Sequence, residues 1–138
     1  MGIRQISIFL ENNAGRLAEV TRCLADASIN LRAISIADTA EFGILRIIVD
    51  KQDEAVETLI EAGFTIRETD VLVTEIDDEP GSLAKLMELF REKNVNIEYL
   101  YASLKGQAGR AVMIFKLNSL ESGLKIIQEN GIPLLEKF

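Results

Sequence analysis

The polar residues best placed for chemistry crowd around two glycines. In Leu10-Glu11-Asn12-Asn13-Ala14-Gly15-Arg16-Leu17, two side-chain amides and a guanidinium flank Gly15. In Ile76-Asp77-Asp78-Glu79-Pro80-Gly81-Ser82-Leu83, three carboxylates and a hydroxyl flank Gly81. Each glycine follows an alternating apolar run and precedes a helical pattern, so it sits where strand turns into helix, and its conformational freedom permits an otherwise strained turn. The first amides of such a helix are unpaired and favour an anion such as a carboxylate. Arg16 adds a positive charge beside them, and Asn12 can meet an ammonium or a carboxylate because its amide both donates and accepts. Fifteen positions past each glycine stands an asparagine between aliphatics, Ile29-Asn30-Leu31 and Val95-Asn96-Ile97, a further donor–acceptor of the same kind.

The same residues have plainer uses. Each loop can serve as a turn and helix cap with nothing bound, and Asn30 and Asn96 can hydrogen-bond a turn. Asp77, Asp78 and Glu79 complement a helix dipole in water; their charge repels a ligand carboxylate, which makes the first loop the better anion pocket. Cys23, Met87 and Met113 read as core residues. Tyr99 and Tyr101 lie two apart on one strand and share a face, which fits either interface packing or a pocket wall.

Composition narrows the function. With no His and one Cys, the commonest general base, the usual zinc ligands and the Ser-His and Cys-His nucleophile pairs are missing. The expectation is a protein that is not an enzyme and holds no cofactor or metal. A net charge of -7 argues against a phosphate-backbone partner. No apolar run nears the roughly 18 residues of a membrane span, and the start of the chain lacks a signal-peptide pattern, so the expected location is cytoplasmic. A single Cys excludes an intramolecular disulfide.

The elements that position these loops repeat. Ile6, Ile8 and Leu10 alternate as a strand, and Leu17, Val20, Leu24 and Ala27 fall at helical spacing. Residues 29–37 read as a strand whose apolar phase changes between Leu31 and Ile34, which predicts a bulge. A strand over 44–49, a helix over 53–62 closed by Gly63 and a strand over 64–67 complete the unit. The second half repeats the order with strands at 71–76, 95–104, 111–117 and 132–135 and helices after Gly81 and over 120–130. Gly43 and Gly109 keep the 66-residue offset of Gly15 and Gly81, while Gly63 and Gly131 stand 68 apart, which places two extra residues near Asn118. Each copy is β-α-β-β-α-β, the ferredoxin-like order. The fold class is therefore α+β: two ferredoxin-like units, 1–68 and 69–138, with antiparallel sheets side by side and helices on one face. The short link Thr65–Asp70 has neither Pro nor Gly, so rigid packing of the two units is expected. Phe9, Ile48, Ile114, Tyr99 and Tyr101 fall on the faces away from the helices, which are expected to be covered by the other copy or another chain.

Leu-Glu-Asn-x-x-Gly-x-Leu with Ile-Asn fifteen residues past the glycine resembles an ACT domain, and Asp-x-x-Pro-Gly-x-Leu with Val-Asn-Ile resembles a second. The resemblance covers the whole chain. It implies a tandem of regulatory modules that bind amino acids at ACT–ACT interfaces, the loop of one unit facing the second strand of its partner. On that likeness the ligand-binding residues are Glu11, Asn12, Asn13, Ala14, Gly15, Arg16, Leu17, Asn30, Ser35 and Ile36, and in the second copy Asp78, Pro80, Gly81, Ser82, Leu83, Asn96 and Tyr101. Asn12 and Asn30 match the asparagines of serine-sensing members, and Asp78 and Asn96 take those places in the second copy. A His two residues before the loop Asn is replaced by Leu10 and Ile76, so the serine pattern is incomplete. The first loop also resembles that of the small regulatory subunit of acetolactate synthase.

Three functions follow. The first is a non-catalytic amino-acid sensor acting as a homodimer. The second is a regulatory subunit of an amino-acid biosynthetic enzyme such as acetolactate synthase, or a purely structural assembly module. The last is a small enzyme using Arg16, Asn12 and Asn13 on a phosphate-type substrate.

Overall fold

A computed structural model describes residues 2–11, 13–38, 42–104 and 106–136. The chain divides into two compact units, Arg4–Thr69 and Asp70–Phe138, the latter joined by Met1–Ile3. The start of the chain differs from the division drawn at 68/69: Gly2 packs in the second unit, where a Cβ on it would meet the Val71 carbonyl oxygen at 2.9 Å.

In the first unit, β1 (Ile3–Glu11), α1 (Arg16–Asp26), β2 (Leu31–Asp38), β3 (Phe42–Val49) and α2 (Gln52–Glu61) lead into β4 (Thr65–Asp77). The strand order is β2-β3-β1-β4. Alternation explains the layer: Ile6, Ile8 and Leu10 of β1 and Leu45, Ile47 and Val49 of β3 turn to one side, against Val20 and Leu24 of α1 and Ala55 and Leu59 of α2. Each such aliphatic contributes about 1.5–3 kcal/mol by leaving water. The expected bulge is present, with Leu31 opposite Val49 and Ala33 opposite Ile48, so Arg32 is the extra residue. It lets Leu31 and Ile34 both pack on the helix-side core.

The second unit contains α3 (Ser82–Glu92), β5 (Ile97–Ala102), β6 (Arg110–Leu117) and α4 (Leu120–Glu129), with β4, β6 and β5 side by side. Its core holds Leu72, Leu86, Phe115, Leu117 and Ile127, with Phe90 edge-on to Phe115 at 5.7 Å between ring centroids. The expected strand at 132–135 shrinks to one bridge between Thr74 and Leu134, flanked by bonds from Glu75 N to Pro133 O and from Leu135 N to Val73 O. Pro133 has no N–H to give, so the ladder cannot extend.

Two further expectations are corrected. The strands at 64–67 and 71–76 are one strand, β4, because nothing in Glu68-Thr69-Asp70 breaks an extended run. The two extra residues of the second copy lie before β6, not near Asn118. Gly43 sits opposite Leu10, and Ala111 sits opposite Ile76. Gly43 therefore corresponds to Ala111, and the 66-residue offset becomes 68 inside the β5–β6 hairpin. Up to that hairpin the copies match closely. Ser28 and Asn94 share positive φ values of 58 and 56°, and both edge strands bulge at corresponding places, Leu31/Ala33 and Ile97/Tyr99.

Ile48, Ile114 and Tyr101 are buried within the single chain, whereas Phe9 is 40% exposed. No helix among the described residues is long and apolar enough to cross a membrane.

Candidate functional site

The first loop leaves β1 at Glu11, beside Phe42 at the start of β3. Asn12 lies outside the described residues. Asn13 turns back: its N–H donates to the Glu11 carbonyl at 2.8 Å and its Nδ2 to the Glu11 carboxylate at 3.1 Å. Ala14 is exposed, and Gly15 follows with φ 89° and ψ -13°. That left-handed turn suits glycine and starts α1 with no side-chain cap. Arg16 is not the open cation expected. One guanidinium nitrogen bonds Glu19 at 2.6 Å, and the group stacks 5.1 Å from the Phe64 ring. Leu17 is 41% exposed on the first turn of α1. Ile36 is 55% exposed; its side chain reaches toward the bare Cα of Gly43, 3.5 Å from where a Cβ would stand. Phe42 is 53% exposed and diagonal to Phe9 on the other face. Ser35 is half-buried on β2, opposite Arg46.

Asn30 is not brought to this loop. It sits at the start of β2, where its N–H donates to Asp50 Oδ1 at 2.9 Å and its carbonyl accepts from Asp50 N at 3.2 Å. Gly43 and Asp50 stand at opposite ends of β3, about 23 Å apart at ~3.3 Å per residue. Within one unit, the Gly15 loop and Asn30 cannot touch the same small molecule. Asn96 repeats the arrangement, with Asn118 in the place of Asp50.

The second loop is built alike and filled differently. Gly81 has φ 90° and ψ -13°. Pro80 is exposed, Ser82 half-buried at the start of α3, and Leu83 packs against the second core. Asp78 gives its N–H to the Gly109 carbonyl at 3.0 Å. Arg110 spans the neighbouring strand end: Nε donates to Glu75 Oε1 at 2.8 Å, one terminal nitrogen bonds Asp77, and the other reaches the Glu75 carbonyl at 3.3 Å. The carboxylates, Glu75 foremost through its hydrogen bond, push the guanidinium further above its already high range. A cleft of 330 Å³ lies alongside, lined by Glu79, Ser82, Lys85 and Arg110 among others. Tyr101 is buried and stands opposite Ile114.

Sequence reasoning missed Phe42 and the Arg110 network. Aligning β3 with β6 at an offset of 68 would have paired Phe42 with Arg110.

Two glycine turns of matching dihedral angles, each where a strand passes into a helix of a βαββαβ-like unit, suggest one family over the entire length, and the family profile described as "ACT domain pair" matches residues 1–137. The chain belongs to the ACT domain pair family. Among solved structures, the ACT pair is similar to protein BT0572 of Bacteroides thetaiotaomicron, with 38% identity, a TM-score of 0.92, and 98% of this chain and 92% of that one covered. It also resembles the regulatory subunits of aspartate kinase from Thermus thermophilus and Thermus flavus. The first is 20% identical with a TM-score of 0.68, covering 93% of this chain and 91% of that one. The second is 20% identical with a TM-score of 0.62, covering 94% and 92%. At that identity the Thermus likeness shows the fold alone. No curated protein matches the ACT pair.

Proposed function

We propose that this ACT pair is a non-catalytic regulatory protein that binds a free amino acid with an apolar side chain at the first-unit loop, as a homodimer. The observation that carries the reading is the exposed apolar surface on the helix side of that unit. Leu17 of α1 and Ile36, which shares the helix side of the sheet with Leu45, stay exposed on the side where a glycine turn opens a helix, so an apolar side chain has somewhere to go while the helix's first amides face its carboxylate. Arg16 bonds Glu19 through one terminal nitrogen and lies against Phe64, while its buried Nε has no hydrogen-bond partner among the described residues, so the amides share the draw for the anion with a partly paired guanidinium. Because Asn30 is held at the far end of β3, its part in binding requires a unit from a second copy of the chain.

A ligand that binds only the folded state stabilises it by about 2.7 kcal/mol at a hundred times its Kd. The test is a thermal-shift screen of the purified chain against all twenty amino acids at millimolar concentration, followed by calorimetry. A selective rise in Tm with an apolar amino acid supports the reading. A flat screen from a folded protein refutes it, and a response to charged amino acids alone refutes the assigned ligand class.

A further inference from the structure

We propose that Arg110 and the lengthened β5–β6 hairpin take up the charged partners that the second loop would offer a ligand, leaving the cleft beside it without them, so that the chain takes one amino acid, in its first unit. The proposal rests on the amino-acid reading above and fixes which of the two loops carries it. Strand register puts Phe42 opposite Glu11 in one unit and Arg110 opposite Asp77 in the other. The same register makes Glu75 the counterpart of Phe9. An apolar diagonal pair in the first unit is thus an ion pair in the second.

The cationic pole of an amino acid finds its place taken, and the anionic pole meets like charge. A ligand ammonium would seek Glu75 and Asp77, but the Arg110 guanidinium already bonds both. This pair is not a fully solvated one: the Arg110 and Glu75 side chains are only 28% and 21% exposed. A ligand carboxylate would seek the first amides of α3, which are arranged as those of α1, while the loop itself is tied down by the Asp78 N–H donating to the Gly109 carbonyl. That carbonyl belongs to the hairpin that carries the two extra residues. The loop's remaining carboxylates, Asp78 and Glu79, add repulsion toward the ligand's anionic end.

The test uses the full chain, followed amide by amide by NMR with each of the twenty amino acids as probe, in wild type, Arg110→Gln and Glu75→Gln. In wild type, a binding amino acid should move amides at 13–17 and leave those at 78–83 in place. In Arg110→Gln the same probe should also move 78–83, whereas Glu75→Gln, which removes a partner of the ammonium and leaves Arg110 on Asp77, should not open the site. Without any probe, hydrogen exchange at 77–82 should quicken about tenfold in both variants, with 13–17 unchanged. Probe-induced shifts at 78–83 in wild type, or unaltered exchange in both variants, would overturn the proposal. If no probe moves any wild-type amide, the amino-acid reading fails, and the exchange measurement still decides whether Arg110 clamps the loop.

Discussion

Gly15→Ala and Gly81→Ala form a matched pair whose cost can be worked from the backbone. Both glycines have φ near 90°, and an added Cβ would meet no heavy atom within 4 Å at either. Space is therefore free, and the penalty is dihedral alone. Holding an ordinary L residue in the left-handed region costs roughly 1–2 kcal/mol. Alanine also narrows the unfolded ensemble, which returns about 0.4–1 kcal/mol. The net loss should be about 1 kcal/mol at each site, equal within error. Asparagine visits this region more readily, so Gly15→Asn should lose less than half as much. In urea, with a slope near 2 kcal/mol per molar, the midpoint should fall by about 0.5 M with the slope unchanged. Amino-acid binding should weaken in Gly15→Ala and persist in Gly81→Ala. Equal losses for Ala and Asn, or a loss above about 3 kcal/mol, would show that packing rather than backbone angle governs these turns.

Other substitutions probe the neighbourhood. Arg16→Met keeps the apolar stem over Phe64 and removes the charge, so stability should drop by about 0.5–1 kcal/mol; affinity for the amino acid should fall by less than about tenfold, and a greater loss in calorimetry would make Arg16 the chief partner of the anion. Gly123→Ala places a Cβ 2.2 Å from Leu117 Cδ1 in the second core. Overpacking of about 1–3 kcal/mol outweighs a helix-propensity gain of about 1 kcal/mol, so urea melts should show a loss of up to about 2 kcal/mol, and a gain would mean that Leu117 turns aside freely. Burial first, then the charge of Asp26, push the Cys23 thiol above its ordinary value of 9.0. The folded state thus holds that proton more tightly than the unfolded chain, and this contribution is whole below the ordinary value and lost as pH climbs through the raised one. Cys23→Ser should abolish that alkaline slope, and maleimide labelling of the native protein near pH 8 should be slower than that of a free thiol.

The duplicated frame was legible because it is written in local pattern: alternation at Ile6, Ile8 and Leu10, helical spacing at Val20 and Leu24, and glycines where strand meets helix. Even the bulge near Leu31 showed as a change of phase. What escaped depends on contacts far apart in sequence. Nothing near Arg16 announces that its guanidinium lies on Phe64, and nothing near Arg110 points to Glu75. The shared 66-residue spacing of Gly43 and Gly109 concealed the insertion, because identical residues stood at positions that strand pairing does not equate. At the site, the glycine turns came out of the sequence and the family resemblance already set Asn30 across an interface from the loop, but the two hydrogen bonds that tie the Asn30 backbone to Asp50 did not, since they follow from the direction in which β2 and β3 run. Thr65–Asp70 reads as a short link between copies, yet a stretch that lacks Pro and Gly continues as one extended strand.

The bulges at Arg32 and Glu98 bear on how the chain tolerates changes in length. Removing one residue from a strand normally throws everything beyond it onto the wrong face. Here each edge strand already carries one residue more than its partner. Deleting Arg32 would leave Leu31 and Ile34 facing the helices and Ala33 facing away, in unbroken alternation. Two positions in this chain can therefore be shortened by a codon with the inside and outside of the strand preserved, and they are the same position in each half.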